Sequence, residues 1–237
     1  MMNLLLSQSH AIASQNVTSQ ISPWLMSMLY PLGEHIVLPS YFGSIEVVGK
    51  DKIPTDGAAI LAPTHRSRWD PLLVSLAAGR GVSGRDLRFM VTATEVTGIQ
   101  GWFVRRLGGF SVDVLRPRIS SLRHGIDLLC DRQMMVIFGE GGIFHDNQVH
   151  PIKPGLGRLA LYAQDLDPTL NTKIYPISIR YGCLPVRWRC GFRVKVGDPI
   201  DVASYYQGDR LKSASKQINK DLQTALQALD QENCDPK

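Results

Sequence analysis

The architecture of this chain is indicated most clearly by one segment, Ala58-Ala-Ile-Leu-Ala-Pro-Thr-His-Arg-Ser-Arg-Trp-Asp-Pro-Leu-Leu-Val-Ser-Leu-Ala-Ala78. Its opening apolar run, residues 58–62, predicts a short buried strand. Its closing run, residues 71–78, predicts a helix with Asp70 as the cap and Pro71 at the first helical position. The polar residues between the two runs therefore belong to a strand-to-helix turn.

The rest of the chain continues this alternation of strands and helices. Further strands are predicted at residues 45–48, 134–138, 173–180 and 192–196. Further helices are predicted at residues 155–163 and 209–232. The pattern indicates an α/β fold, a single domain with a mixed, largely buried central sheet flanked by helices. In open α/β sheets, sites usually lie at the carboxyl ends of the strands.

The charge balance favours anionic partners. The formal net charge is +5 and the pI is about 9.1, which suits nucleic acid, a phospholipid surface or phosphorylated substrates. Every lysine or arginine in residues 53–152 is arginine, whose planar fork binds phosphate oxygens in pairs. A GC-biased genome that encodes arginine in place of lysine explains the same skew equally well. The chain lacks a nucleic-acid recognition module, so we do not expect it to bind nucleic acid.

The N-terminal region differs in composition from the rest. Residues 1–20 are rich in Ser and Gln and are expected to form a loosely ordered leader. Residues 21–43 predict a helical segment whose apolar run is broken by Pro31 and Pro39, so it is too short to span a bilayer. Aromatic residues such as Trp24 and Tyr30 suit a helix lying at a membrane interface. The alternative is a helix that packs on the protein's own core.

His65 and Asp70 are the candidate catalytic pair. Five positions separate them, which would turn their side chains apart on an ideal helix, so contact requires a bent loop. In such a loop the carboxylate accepts a proton from one imidazole nitrogen and leaves the other free to act as a base. Taken singly, Asp70 is better explained as a helix cap and His65 as a hydrogen-bonded loop residue.

Four sequence blocks, taken in order, favour the catalytic interpretation of His65 and Asp70 over the structural one. They are Thr64-His-Arg-Ser-Arg-Trp-Asp-Pro71, Gly101-Trp-Phe-Val-Arg-Arg-Leu-Gly-Gly-Phe-Ser-Val-Asp113, Phe138-Gly-Glu-Gly-Gly142 and Ile174-Tyr-Pro-Ile-Ser-Ile179. Together they resemble the glycerophospholipid acyltransferase family, which includes the lysophosphatidate acyltransferases. The first is similar to the family's His-x-x-x-x-Asp block and the third to its Phe-Pro-Glu-Gly-Thr-Arg block.

The resemblance implies transfer of a fatty acyl group from acyl-CoA or acyl-carrier protein to the free hydroxyl of a lysophospholipid, most simply 1-acylglycerol-3-phosphate. Residues 44–237 would form the acyltransferase domain, with His65 as the general base and Asp70 as its orienting partner. The residues implied to bind substrate are Arg105 and Arg106 at the acceptor's phosphate, and Glu140, Gly141 and Gly142 in the acceptor pocket. A solvated arginine pair and a tight turn at the glycines are the plain structural alternatives. The enzyme would sit on the cytoplasmic side of a membrane as a peripheral or monotopic protein.

Two departures from the family pattern leave the acceptor open. Gly142 and Ile143 stand where the third block usually has Thr-Arg, so Arg158 or Lys153 would have to replace the missing arginine. The lysine that often precedes the second block is absent from residues 92–96. Glycerol-3-phosphate or another lysolipid is therefore an alternative acceptor. A non-catalytic lipid-binding protein and a hydrolase are the alternatives from other classes.

No cofactor is expected beyond the acyl donor, which is a substrate, and no metal is expected. The histidines are scattered without ligand spacing. The cysteines, Cys130, Cys183, Cys190 and Cys234, show no paired ligand spacing and are predicted to be reduced structural thiols.

Overall fold

A computed structural model describes residues 19–92, 98–112, 119–206 and 211–232. Most of the predicted leader, and residues 93–96 of the stretch ahead of the second block, lie outside the described residues.

The described chain is built around one eight-stranded sheet. Its strands are β1 (Ile45–Val48), β2 (Ala59–Pro63), β3 (Leu87–Thr92), β4 (Gly109–Val112), β5 (Met134–Ile137), β6 (Lys173–Tyr181), β7 (Phe192–Val196) and β8 (Ile200–Asp201). Their order across the sheet is β1-β7-β6-β2-β5-β3-β4, and β8 pairs with the start of β6.

Strand directions make this a mixed sheet, as predicted. Strands β6, β2, β5, β3 and β4 are parallel neighbours, whereas β7 runs antiparallel to β6 and carries β1 parallel to itself. The carboxyl ends of five parallel strands therefore meet at one edge, which is where α/β sheets place their sites.

Helices cover both faces of the sheet. They are α3 (Asp70–Ala78), α4 (Arg80–Ser83), α5 (Gly98–Arg106), α6 (Ile119–Cys130), α7 (Gly155–Leu166) and α8 (Leu211–Glu232). Alternate residues of β2 explain the two layers, because successive side chains of a strand point to opposite faces. Leu61 lies in the core cluster that includes α3, and Ile60 lies in the cluster built with α6, α7 and α8.

The N-terminal segment is helical, as predicted, and it is continuous. It comprises α1 (Pro23–Leu32), a π-helical turn (Gly33–Val37) and α2 (Leu38–Tyr41). The π turn ends two residues before Pro39. Because the ring nitrogen of proline has no proton to donate, Pro39 cannot make the backbone hydrogen bond of a regular α-helix. None of the described helices is both long and apolar enough to cross a bilayer.

Most predicted elements are confirmed within one to three residues at each end. Strands β3, β4 and β8 and helices α4, α5 and α6 were not predicted. The thiol prediction is wrong for one pair, since Cys183 and Cys190 are joined as a disulfide with their Cα atoms 5.9 Å apart.

Candidate active site

The site is assembled where three adjacent parallel strands end. Strand β2 leads into His65, β5 leads into Phe138 and Glu140, and β6 ends at Tyr181. The Thr64 hydroxyl accepts a hydrogen bond from the Ile179 backbone N–H at 2.9 Å, which fixes the start of the His65 loop against β6. The sheet therefore brings together residues that are up to 116 positions apart in sequence.

His65 and Asp70 are in direct contact. The imidazole Nδ1 lies 2.8 Å from Asp70 Oδ2. The His65 side chain is 15% exposed and the Asp70 side chain is fully buried. Because Nδ1 faces the carboxylate, Nε2 is the nitrogen left for a substrate, which is the arrangement of a histidine general base with its orienting carboxylate.

The Asp70 carboxylate accepts several further hydrogen bonds. The backbone N–H groups of Arg66 and Ser67 donate to Oδ2 at 2.6 Å and 2.8 Å, and the Tyr181 hydroxyl donates to Oδ1 at 2.6 Å. Asp70 is the first residue of α3, and no side-chain capping bond begins that helix. The expected cap role is therefore wrong, because the carboxylate is turned back into the loop that precedes the helix.

Tyr181 stays protonated in this environment. Burial, and then the negative charge of Asp70 and the hydrogen bond to it, raise the pKa of the Tyr181 hydroxyl well above its usual value. The phenol is therefore a permanent donor to the carboxylate.

Glu140 is occupied by protein groups. Its carboxylate pairs with both terminal nitrogens of Arg66, at 2.7 Å and 3.1 Å, and accepts the backbone N–H of His65 at 2.8 Å and of His150 at 2.9 Å. Arg66 and Glu140 are both buried. Among the described residues that line the neighbouring cavity, Glu140 is not included. The structure thus gives Glu140 the position of a tie between two loops, and its role in shaping the acceptor pocket stays a prediction.

The ring of His65 is also held from its flat side. Phe138 stacks on it with ring centroids 3.9 Å apart and planes 22° from parallel. The His65 carbonyl accepts the Phe144 backbone N–H at 2.9 Å. Contacts with Asp70, Glu140, Phe138 and Phe144 therefore fix both the backbone and the imidazole before any ligand binds.

His65 opens onto a cavity of about 930 Å³. Most of its wall is apolar and comes from the ends of β3, β4 and β5 together with α6 and α7: Met90, Val91, Val112, Leu122, Ile126, Ile137, Leu156 and Leu159. Its charged lining residues are the cations Arg68, Lys153 and Arg158, and its described wall contains no carboxylate. The size and lining suit a ligand with a long apolar part and an anionic group.

Of the remaining predicted site residues, some line this cavity and others lie outside its described wall. Gly141, Gly142 and Arg158 line it. Gly141 also has a left-handed φ of 76°, so the tight-turn interpretation holds as well. Neither Arg105 nor Arg106 belongs to the described cavity wall; Arg106 instead lies over the ring of Trp102, 5.3 Å from its centroid. Their role at the acceptor's phosphate stays a prediction.

Sequence reasoning missed two residues of the site. Arg66 lies inside the first block and its partner Glu140 lies in the third, so no local sequence pattern indicates that the two pair. Tyr181 stands two residues after the fourth block, and only its position just beyond a predicted strand could have singled it out. No group of three or more His, Cys, Asp or Glu side chains suited to a metal occurs in the part of the chain that the structure describes.

Comparisons with known proteins agree with this geometry. A sequence model of a family described as acyltransferase matches residues 44–180. A 1-acyl-sn-glycerol-3-phosphate acyltransferase of Streptococcus pneumoniae is 27% identical over 199 residues, covering 83% of this chain and 70% of that protein. A Saccharomyces cerevisiae glycerol-3-phosphate O-acyltransferase is 32% identical over 98 residues, covering 39% of this chain and 13% of that protein. The crystal structure of the 1-acyl-sn-glycerophosphate acyltransferase PlsC from Thermotoga maritima shares the fold, with a TM-score of 0.65 at 18% identity over 90% of this chain and 82% of that chain.

Proposed function

This chain belongs to the acyltransferase family, and we propose that it transfers a fatty acyl group from a thioester donor to the free hydroxyl of 1-acylglycerol-3-phosphate. The observation that carries the proposal is the His65–Asp70 pair at the opening of a largely apolar cavity with cationic lining residues. The S. pneumoniae relative, which this chain matches over most of its length, supports the choice of acceptor.

In the proposed reaction His65 acts as a general base. Its Nε2 takes the proton of the acceptor hydroxyl while that oxygen attacks the carbonyl carbon of the thioester. The carbon–sulfur bond then breaks, and the thiol leaves with the proton that His65 returns. Asp70 stabilises the imidazolium formed in between. One oxygen ester replaces one thioester, and no further reactant is needed.

The two kinds of cavity wall suit the two ends of the lipid. Met90, Ile126 and Leu159 offer apolar surface to an acyl chain, and each buried methylene contributes roughly 0.8 kcal/mol. Lys153 and Arg158 supply positive charge for a phosphate, the task that the missing arginine of the third block would otherwise perform. Acyl-CoA and acyl-carrier protein present the same thioester, so either can be the donor in this reaction.

The experiment that tests this function is a product analysis. Pure protein is incubated with acyl-CoA or acyl-carrier protein and, separately, with lysophosphatidate, glycerol-3-phosphate or another lysolipid, and the products are identified by mass. We expect phosphatidic acid, and we expect His65→Ala to lower its rate by roughly 10²–10⁴-fold. His145→Ala, which changes an exposed histidine outside the cavity wall, is the control.

Each alternative predicts a different product. A diacyl product from another lysolipid alone, or a monoacyl product from glycerol-3-phosphate alone, would change the acceptor. Free fatty acid alone would indicate a hydrolase. Lipid binding without any product would indicate a non-catalytic protein. Normal turnover in His65→Ala would overturn the mechanism.

We also propose that the N-terminal helix rests on the membrane that supplies the lipid. Four apolar side chains, spaced four residues apart, form what we term the interfacial stripe: Trp24, Met28, Leu32 and Ile36, which are 64%, 51%, 37% and 60% exposed. The opposite side of the same helix is anchored in the protein by buried Leu25, Met26 and Leu38. An apolar stripe on a helix too short to span is typical of an interfacial helix.

A second exposed apolar group adjoins the start of this helix. Trp102 and Phe103 on α5 are each 43% exposed. The end of α5 is tied to the start of α1, since the Ser22 backbone N–H donates to the Arg106 carbonyl at 3.0 Å. Aromatic side chains with arginine close by suit the headgroup region of a membrane with anionic lipids.

Vesicle sedimentation tests the membrane proposal. We expect the protein to sediment with vesicles of equal phosphatidylglycerol and phosphatidylcholine, and less with phosphatidylcholine alone. The double variant Trp24→Ser, Ile36→Ser is expected to lose most binding. Leu166→Ser, which removes an exposed leucine from the end of α7, is the control. Equal losses in both variants, or undiminished binding by the double variant, would contradict the proposal.

A further inference from the structure

Tyr181 contacts Asp70 of the catalytic pair and is not among the described residues that line the cavity. It is the last residue of β6 and is 1% exposed. Its ring is near those of Phe42 and Phe192, with centroids 6.2 Å and 6.4 Å away. The hydroxyl donates to Asp70 Oδ1 at 2.6 Å, on the carboxylate oxygen that His65 does not use.

We propose that Tyr181 is a positioning residue that sets the basicity of His65 through Asp70. This inference rests on the proposed function, since it takes His65 as the general base. Oδ2 of Asp70 accepts hydrogen bonds from His65 and from two backbone N–H groups. The Tyr181 phenol donates to the other oxygen, Oδ1, and so helps to hold the carboxylate in its orientation. A donor at Oδ1 also draws charge from the carboxylate and moderates its pull on the imidazole proton.

The direction of the change at His65 follows from how the Tyr181 hydroxyl alters the negative charge on Asp70. Without the phenol, more negative charge remains on the carboxylate beside His65, and an opposite charge favours the protonated imidazole. Removal of the hydroxyl therefore favours the protonated form of the His65 imidazole. Tyr181 cannot ionise and reverse the effect, because burial and the Asp70 charge raise the pKa of its phenol.

The other charged groups around His65 are left in place by this change. Glu140 accepts the His65 backbone N–H and is paired with Arg66, whose guanidinium also donates to the His65 carbonyl. Arg68 and Lys153 line the same cavity as His65. Since all four remain in a Tyr181→Phe variant, a difference in the titration of His65 reports the phenol–carboxylate bond.

Tyr181→Phe is the direct test, because it removes one hydroxyl and keeps the buried ring. The matched control is Tyr175→Phe, which removes the hydroxyl of another buried tyrosine on the same face of β6, about 20 Å along the strand. For Tyr181→Phe we expect a kcat roughly tenfold lower, by analogy with the loss of a hydrogen-bond partner behind a metal-binding histidine, with KM for the acceptor nearly unchanged. The acidic limb of the kcat/KM profile should move up by about half a pH unit.

Nuclear magnetic resonance gives a readout that needs no turnover. The ¹⁵N shifts of labelled His65, assigned with a His65→Gln variant, should titrate at a higher pH in Tyr181→Phe than in the parent protein. The Tyr175→Phe protein should match the parent. Should Tyr181→Phe fail to fold, 3-fluorotyrosine at position 181, a more acidic phenol and a stronger donor, is expected to move the titration to lower pH.

The outcomes separate the two proposals. If the parent protein transfers no acyl group, the proposed function fails, and the titration still measures the link between Tyr181 and His65. If the parent is active but His65 titrates alike in the parent and in the folded Tyr181 variant, the inference about Tyr181 is overturned. A fall in kcat with an unmoved pH profile would also overturn it, since that result is what a purely structural role predicts.

Discussion

Replacing Glu140 by glutamine separates two roles for this residue, a tie within the protein and a contact with the acceptor. The substitution keeps the shape of the side chain but removes its charge. Four N–H donors point at the carboxylate, two from the Arg66 guanidinium and two from backbone. The glutamine amide has one oxygen to accept from them, and its NH₂ group faces donors.

The expected cost comes mainly from Arg66. Its side chain is 1% exposed, so Glu140→Gln leaves a buried guanidinium without a counter-charge. Breaking a buried ion pair in this way costs about 3–5 kcal/mol. For a domain of this size, that loss lowers Tm by roughly 6–20 °C. With one oxygen left, either the His65 or the His150 backbone N–H faces the NH₂ group instead of an acceptor, so the loops held by Glu140 loosen and we expect kcat to fall as well.

The assay is urea unfolding followed by circular dichroism, with kinetics on the same samples. Glu46→Gln is the control, because Glu46 forms an exposed pair with Arg193 and such pairs contribute only about 0–1 kcal/mol. The paired variant Arg66→Met, Glu140→Leu should recover much of the lost stability, since an apolar replacement leaves no isolated charge. A loss within about 1 kcal/mol in Glu140→Gln, together with a large rise in KM for the acceptor, would refute the reasoning and return Glu140 to the acceptor pocket.

Two further changes test the cavity and the pH dependence of stability. A Cβ at Gly125 would lie 2.8 Å from a methyl of Leu159 and 3.6 Å from Met90, and both of these residues line the cavity. Gly125→Val should therefore narrow the cavity and shift the products toward shorter acyl chains. The products formed from a mixture of acyl donors are identified by mass. The control is Gly81→Ala, which adds a carbon outside the cavity wall, 3.2 Å from the Glu34 carboxylate, and should leave the product distribution unchanged. An equal shift in both variants would contradict the placement of the acyl chain. Burial lowers the pKa of His124 below its usual value, so the unfolded chain binds the proton more tightly and stability falls as pH drops through the ordinary histidine range near 6.5. The free energy of unfolding should therefore fall less between pH 7.5 and pH 5.5 in His124→Phe than in the parent protein, and identical pH slopes would disprove the assignment.

Local sequence was sufficient for the central part of the fold. The run at residues 58–62 could be recognised because it is apolar throughout, and the proline after Asp70 indicated where α3 begins. Strands β3 and β4 were missed for identifiable reasons. Leu87–Thr92 carries an arginine in its run, and Gly109–Val112 is a short strand at the edge of the sheet that begins with glycine. Four residues, of which only Phe110 and Val112 are large and apolar, are too short a run to separate from the turns around them.

The catalytic pair was predictable because its two residues are close in sequence. His65 and Asp70 share one loop, and the bend between them could be anticipated from Pro71. The pairing of Arg66 with Glu140, and of Asp70 with Tyr181, depends on the order in which strands are placed in the sheet. That order is decided by tertiary packing, so no pattern of neighbouring residues could reveal it.

The position of β2 has a consequence for how the protein is made. Both of its hydrogen-bonded neighbours, β5 and β6, are encoded later, and β6 begins about a hundred residues after β2 ends. At ordinary translation speeds the ribosome needs roughly 5 to 20 s to synthesise that interval. Strand β5 is made partway through this interval, but the edge of β2 that pairs with β6 has no partner until the interval ends. The hydrogen bond of Tyr181 to Asp70 also has to wait for β6, so the carboxylate behind His65 gains its last partner only late in synthesis.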